Sequence, residues 1–302
     1  MKKTYGKEFL KSIPRLLSLQ DRRPFSQTEG CFDKNYWHFK TSDFPNSASQ
    51  MGIEALAKAW DWEDSNNIYY KNKQILNWTK SGMLYLCKIQ YKDGSFDEWY
   101  PGEKGWAGPT GYVVHSLCET YNLLCEELTS IEKDLVLATI EKAARHLCVR
   151  DEKQILANHF AVTMMALDDS WNLLKKEWIL EGYNNWWDKF KELITVEGWS
   201  LEYDGVDFGY NLATLSFLAK IHSKNNCPEI EAYAKKSFDF LSYFVMPDKT
   251  FGGRLGSRNT SHIYPFALEY WSARFETAKA MALHYRSVAS SLCPPSIQDD
   301  HY

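Results

Sequence analysis

One segment of the chain constrains its fold more than any other. Residues 155–167 are apolar on nearly every side of a helix, and a helix with that pattern is buried all round. Helical spacing of apolar residues recurs along the chain to about residue 290, whereas the alternation typical of strands is nearly absent. The sequence therefore predicts an all-α fold in which outer helices enclose inner ones.

About ten helices are expected, joined by short and long loops in turn, which is typical of stacked helical hairpins. Residues 1–20 are predicted to form an amphipathic helix interrupted by Pro14, and residues 21–46 are irregular. We predict a single domain of 302 residues, a complete or incomplete α/α toroid of about five to six hairpins, with residues 1–46 packed on the ring. The later helices are expected near 75–89, 112–124, 131–147, 154–174, 177–194, 209–224, 228–246 and 262–288.

Three loops resemble one another. Residues 93–100, 198–205 and 248–254 all combine glycine, acidic and aromatic residues. Repetition at intervals of this size is typical of architectures built from repeated units. It favours a ring whose loops gather on one face over a simple helical bundle.

Composition excludes several classes of function. Net charge is −4 with acids and bases intermixed, which argues against nucleic acid as a partner. No run approaches the roughly 18 apolar residues that span a bilayer, and the N-terminus lacks the apolar stretch of a signal peptide. The cysteines number seven with no CxxC pair, as in reduced cytosolic proteins. We expect a cytoplasmic protein with no membrane contact, and the absence of metal-ligand spacing predicts no metal or cofactor.

Aromatic residues make up 15% of the chain, and their rings pack in cores but also stack on sugars. Most are expected in the core. Four in or beside irregular segments are candidate substrate contacts: Tyr36, Trp37, Trp99 and Trp106.

Loop acids are a second group of candidates. Asp97 and Glu202 are predicted to contact substrate, and a pair of such acids could instead serve a glycosidase. The alternative is that these carboxylates are simply solvated. The full set of loop acids is Asp93, Asp97, Glu98, Glu202, Asp204 and Asp207.

Three residues are candidates for catalysis. Asn158 and His159 begin the most apolar helix, where a polar pair is costly to bury without a purpose. Tyr210 begins another helix directly after a glycine- and acid-rich loop, which favours a hydroxyl facing a cleft. The alternatives are a polar pair that satisfies loop backbone groups and a core tyrosine.

Two arginines lie in the glycine-rich segment 251–260. The segment lacks the Gly-Lys-Ser/Thr ending of a phosphate-binding loop. Arg254 and Arg258 suit bidentate binding of a carboxylate, although surface arginines without a ligand are an equal alternative. His262 follows at the start of the last helical region and is a further candidate for binding substrate.

Together these motifs resemble the α/α-toroid portion of the heparinase II/III-like polysaccharide lyases. Residues 157–160, within an apolar helix, are similar to the Asn-His pair of that group, and residues 204–210 to its Asp-Gly…Tyr segment. Residues 253–260, 30–37 and 43–45 resemble relatives found with genes for polysaccharide assembly, which points to exopolysaccharide.

The resemblance implies β-elimination at a uronic acid in an acidic polysaccharide. Asn158 would neutralise the carboxylate, His159 would be the base or its helper, and Tyr210 the base or the acid. An arginine clamp by Arg254 or Arg258 is an inference from the residues themselves. Full-length lyases of the group add a C-terminal β-sandwich, and no counterpart to it is expected in this sequence. The toroid would then act alone, or lack catalysis, or depend on a partner protein.

Other functions remain open on the same fold. They are a glycoside hydrolase or sugar epimerase that uses the loop acids, and a non-catalytic module for polysaccharide binding or assembly. Residues 90–96 resemble the Gln-x-x-x-Gly-x-Trp/Phe turns of terpene cyclases and protein prenyltransferases. Asp168 and Asp169 do not complete the Asp-x-Asp-Asp pattern of such cyclases, and zinc ligands are missing, so that activity is a remote alternative.

Overall fold

The computed structural model describes residues 2–97, 105–152, 156–248, 250–260 and 262–289. Within these ranges the chain is almost entirely helical, with isolated β-bridges and no strand, so the predicted all-α class is confirmed. The α-helices are α1 Lys2–Leu19, α2 Gly52–Asp61, α3 Lys73–Ile89, α4 Ala107–Leu124, α5 Ser130–Val149, α6 Ala157–Leu174, α7 Glu177–Glu192, α8 Phe208–Asn225, α9 Pro228–Leu241, α10 Pro265–Trp271 and α11 Glu276–Ala289.

Most predicted helices begin and end close to these bounds, and local capping explains why. Asn72 caps α3 by accepting hydrogen bonds from the next turn. Thr129 and Glu132 form a reciprocal capping box at the start of α5. The predicted interruption at Pro14 was wrong, because α1 continues through this residue as one helix.

Two predicted boundaries were wrong. Helix α4 begins at Ala107 rather than near Tyr112, because Pro109 lies in the first turn, where a proline costs no helical hydrogen bond. The region 262–288 contains two helices, α10 and α11, rather than one. Between the two helices the Trp271 ring stacks on the Phe275 ring, with centroids 5.3 Å apart.

The chain divides into two compact units, and their boundary falls within α6. The first comprises residues 1–152 and 166–183, and the second residues 153–165 and 184–302. In the first, α2 packs on α1, α3 and α4, and α5 packs on α3 and α4. In the second, α8 packs on α9 and α10, and α11 packs on α9 and α10. The single-domain organisation, with residues 1–46 packed on a ring, stays a prediction.

The three loops that resemble one another in sequence each contain a turn of the same kind. Gly94 and Gly198 have the same left-handed φ of 95°. Gln90 also donates from Nε2 to the carbonyl of Thr139, 3.0 Å away, so the first turn is fastened to α5. In each turn a backbone N–H donates to the carbonyl four residues later at 2.9 Å: Tyr91 to Ser95, Thr195 to Trp199 and Met246 to Thr250.

The cysteine side chains are suited to packing rather than to chemistry. The cysteines in the described ranges are free, and burial raises the pKa of Cys31, Cys87 and Cys148 to about 11. Thiols with such pKa values are poor nucleophiles at neutral pH, in keeping with packing roles.

Among the helices described, none has the length and apolar character needed to cross a bilayer.

Candidate functional site

The start of α6 is held by a buried carboxylate of the second unit. The backbone N–H of Asn158 donates to Oε1 of Glu202 at 2.6 Å, and its Nδ2 donates to Oε2 at 2.8 Å. Asn158 and His159 are 3% and 5% exposed, and Glu202 is fully buried. The carboxyl group therefore fixes the orientation of the Asn158 side chain and satisfies a helix N-terminus at the same time.

A two-residue turn explains why Glu202 points inward. Tyr203 and Asp204 have φ angles of 52° and 65°, as a type I′ turn requires. The N–H of Glu202 donates to the carbonyl of Gly205 at 2.8 Å, and the N–H of Gly205 donates back at 3.1 Å. Two consecutive non-glycine residues with positive φ are costly, and conformations of this kind concentrate at functional sites.

The environment of Glu202 favours its neutral form. Burial raises the pKa of its carboxyl to about 8, although the side-chain and backbone hydrogen bonds from Asn158 act in the opposite direction. The charge of Asp207 raises the pKa further, and that of Arg258 lowers it. Full burial also disagrees with the predicted contact between Glu202 and substrate, because the turn directs this side chain onto α6 instead.

This pKa predicts how stability depends on pH. Between the ordinary value of 4.5 and about 8, the folded protein keeps a proton on Glu202 that the unfolded chain releases. The free energy of unfolding should therefore fall as pH rises, by up to about 1.4 kcal/mol per unit. Glu202→Gln, which cannot ionise, should lose less stability than the wild type over this interval.

Urea unfolding of both proteins at several pH values measures the difference. Glu192→Gln, at an exposed position, is the matched control and should follow the wild type. Parallel pH profiles for the wild type and Glu202→Gln would show that the Glu202 carboxyl is ionised in the folded state.

A second buried carboxylate, Asp207, caps α8 and fastens the arginine loop. Its Oδ1 accepts from the N–H of Tyr210 at 3.1 Å. Its Oδ2 accepts from the N–H of Arg258 at 3.0 Å and from that of Thr260 at 3.3 Å. The Thr260 hydroxyl donates to Oδ1 as well. One side chain thus determines the positions of both the tyrosine and the arginine backbone.

The arginine loop also contacts the Glu202 turn directly. The Ser257 hydroxyl donates to the Glu202 carbonyl at 2.6 Å, and the Ser257 N–H donates to the Val206 carbonyl at 2.7 Å. A Cβ at Gly256 would lie 2.9 Å from both Cα and Oδ2 of Asp207, so only glycine permits this approach.

Arg258 stands at the surface of this arrangement. Its guanidinium lies 4.2 Å from the centre of the exposed Tyr203 ring. Arg254 is exposed on the short helical turn Gly253–Leu255 of the same loop. Tyr210 is half-buried, and the backbone of His262 passes 3.0 Å from where a Cβ at Gly209 would lie.

The structure thus brings together most of the predicted site in the second unit. Hydrogen bonds and close backbone approaches connect the segments that bear Asn158, His159, Glu202, Tyr210, Arg258 and His262, with Arg254 on the adjoining turn. Asp207 was predicted only as a loop acid. Its position directly before a helix, typical of an N-cap, is the signal that identifies it.

Two of the predicted aromatic contacts lie in the first unit. Tyr36 and Trp37 belong to a single π-helical turn, Asn35–Phe39. The Arg23 guanidinium lies 5.1 Å from the Trp37 ring, and the Lys40 ammonium lies 5.6 Å from the Tyr36 ring. Half-buried rings beside cations suit an anionic sugar, but this contact stays a prediction.

The remaining candidates of the first unit follow α3 or precede α4. Asp97 accepts a hydrogen bond from the Tyr91 hydroxyl at 2.7 Å. Trp106 immediately precedes α4 and is half-buried. Trp99 lies outside the described residues. Substrate contact by these three residues stays a prediction.

A family model resolves the relationship of the chain to known proteins. The model of the ulvan lyase N-terminal domain matches residues 68–274. The chain belongs to this family. The matched range of the ulvan lyase N-terminal domain includes Asn158, Glu202, Asp207, Tyr210 and Arg258, so the site described above lies wholly within it.

Solved structures with the same fold include two carbohydrate-active proteins. The polysaccharide lyase BACCELL_00875 is 10% identical with a TM-score of 0.57, over 94% of this chain and 82% of that one. A glycosyl hydrolase of family 88 from Bacteroides vulgatus is 9% identical with a TM-score of 0.60, over 95% and 85%. These likenesses confirm the predicted toroid class of fold. Comparison with curated protein sequences gives no significant match.

Proposed function

We propose that this ulvan lyase N-terminal domain cleaves a uronate-containing polysaccharide by β-elimination. The supporting observation is the convergence of Asn158, Tyr210 and the Arg258 loop around two buried carboxylates. Membership of the family supports the lyase class of reaction. A specific relationship to the heparinase II/III-like lyases rests on the sequence motifs and is part of the proposal.

Neutralising the uronate carboxylate is the first requirement, because the charge makes the C5 proton difficult to remove. The Asn158 amide has two N–H donors, and the one that binds Glu202 leaves the other for a substrate carboxylate. Arg258, with its guanidinium at the surface, supplies a bidentate donor to the same anion. The Asn158 amide also stabilises the negative charge that develops when the proton leaves.

Proton transfer completes the reaction. A base takes the C5 proton, the C4–O bond breaks, a C4=C5 double bond forms, and an acid protonates the leaving oxygen. We assign the proton transfer to the half-buried Tyr210, with the more deeply buried His159 assisting it. No water is consumed, which distinguishes the reaction from hydrolysis.

Incubation with ulvan and with other uronate polymers tests the proposal. The conjugated double bond of the product absorbs in the ultraviolet, so rising absorbance is the expected result. New reducing ends without that absorbance would contradict elimination and support a hydrolase. Binding without either product would contradict catalysis and support a polysaccharide-binding module.

Arg258→Ala should raise KM about tenfold and lower kcat less, because the guanidinium binds the carboxylate in substrate and transition state alike. Initial rates over a range of polymer concentrations measure this. Arg274→Ala is the matched control, since the Arg274 guanidinium also stacks on a tyrosine, 4.7 Å from the centre of the Tyr270 ring. An equal rise of KM in both variants would contradict a specific role for Arg258.

A further inference from the structure

Three helices of the first unit bring together a second polar cluster. His115 and Glu119 lie one turn apart on α4, Asp169 on α6, and Glu54 on α2. Nδ1 of His115 lies 2.6 Å from Oδ2 of Asp169, and its Nε2 lies 3.8 Å from Oε1 of Glu54. His115 and Asp169 are each 3% exposed, so the imidazole is buried between two carboxylates.

The spacing of these donors fits a metal ion. The ligand atoms offered by His115, Glu119 and Asp169 all lie within 4.8 Å of one another. Donors on one ion with bonds of about 2.0–2.2 Å lie at most about 4.4 Å apart. Side-chain rotations that move these ligand atoms by a few tenths of an ångström would therefore bring them within reach of one ion.

A cation already lies beside this cluster. The Lys58 ammonium contacts Oε1 of Glu54 at 2.5 Å, and the charges of Glu119 and Asp169 also act on it. Burial lowers the pKa of Lys58, but these three charges raise it by more. The carboxylates of the cluster therefore favour a positive charge beside them.

We propose that His115, Glu119 and Asp169 bind a divalent transition-metal ion, with Glu54 as a further oxygen ligand. An imidazole with carboxylates suits Zn²⁺ or Mn²⁺ better than the all-oxygen preference of Mg²⁺ or Ca²⁺. The Lys58 side chain is 45% exposed, so its ammonium can move into solvent when the ion binds. This inference is independent of the elimination reaction proposed above.

Spacing in the sequence predicted no metal, because a ligand set drawn from distant helices leaves no local motif. His115 and Glu119 are close in sequence, but Asp169 follows fifty residues after Glu119. The fold unites them within the first unit.

Calorimetric titration of the chelator-treated full chain with ZnCl₂ and MnCl₂ tests the site. One ion should bind per chain, and bound metal should raise the midpoint of thermal unfolding. His115→Ala and Glu119→Gln should weaken binding at least about tenfold, whereas Lys58→Met should strengthen it because the competing ammonium is removed. The exposed His38 provides the control His38→Ala, which should bind as the wild type does.

Circular dichroism of each variant identifies any that fail to fold, and Lys58→Met keeps the test decisive if His115→Ala unfolds. No binding of either ion by the folded wild type would overturn the proposal. Unchanged affinity in folded Glu119→Gln together with unchanged affinity in Lys58→Met would overturn it as well.

Discussion

Tyr210→Phe is expected to lower kcat for elimination by about 10²–10⁴-fold, the usual contribution of a positioned acid or base. The substitution removes one hydroxyl and leaves the ring. The backbone N–H of residue 210 still donates to Asp207, so α8 keeps its cap. Initial rates of ultraviolet absorbance on a uronate polymer give kcat, and thermal unfolding verifies the fold.

Tyr243→Phe is the matched control, because the Tyr243 side chain is 83% exposed in the same unit. Its kcat should equal that of the wild type. Full activity of Tyr210→Phe would show that the Tyr210 hydroxyl does not transfer the proton, and His159 would then be the candidate to test.

Asn158→Ala is expected to lower kcat by about 10²–10³-fold, as loss of a donor to developing negative charge does. It should also cost about 1–3 kcal/mol of stability, because Oε2 of the buried Glu202 loses its donor. Kinetics and urea unfolding on the same preparation separate the two effects.

Asn211→Ala distinguishes catalysis from stability. Asn211 is fully buried and holds Ser200 through three hydrogen bonds, so its loss should destabilise the second unit to a similar degree. We expect the folded fraction of Asn211→Ala to retain its kcat. Equal losses of kcat in both variants would mean that Asn158 acts only through the fold.

Apolar pattern predicted the inner helices well because burial on all sides leaves a signature along a single helix. The start of α6 and the start of α8 were both identified in this way, and with them Asn158 and Tyr210. Pattern alone misplaced the start of α4, since glycine and proline at 108 and 109 are typical of loops as well as of a first helical turn.

The direction of a loop side chain was beyond prediction. Glu202 and Asp204 are acids of one loop, yet a tight turn buries the first and exposes the second. That difference depends on backbone φ angles, which composition does not determine. The cluster at His115 was beyond prediction for a related reason, since its members meet only through packing of three helices.

The hydrogen bonds that Asp207 accepts from the arginine loop come mainly from backbone amides. The position of the loop backbone therefore does not depend on the side chain at residue 258. Asp207 accepts from the peptide N–H of residue 258, whatever side chain that residue bears. A substitution at position 258 therefore changes the side chain that the loop presents while Asp207 still accepts from the same amide. In the elimination mechanism proposed above, a change in the anion that is bound then needs few substitutions, because the hydrogen bonds that support the loop backbone are kept.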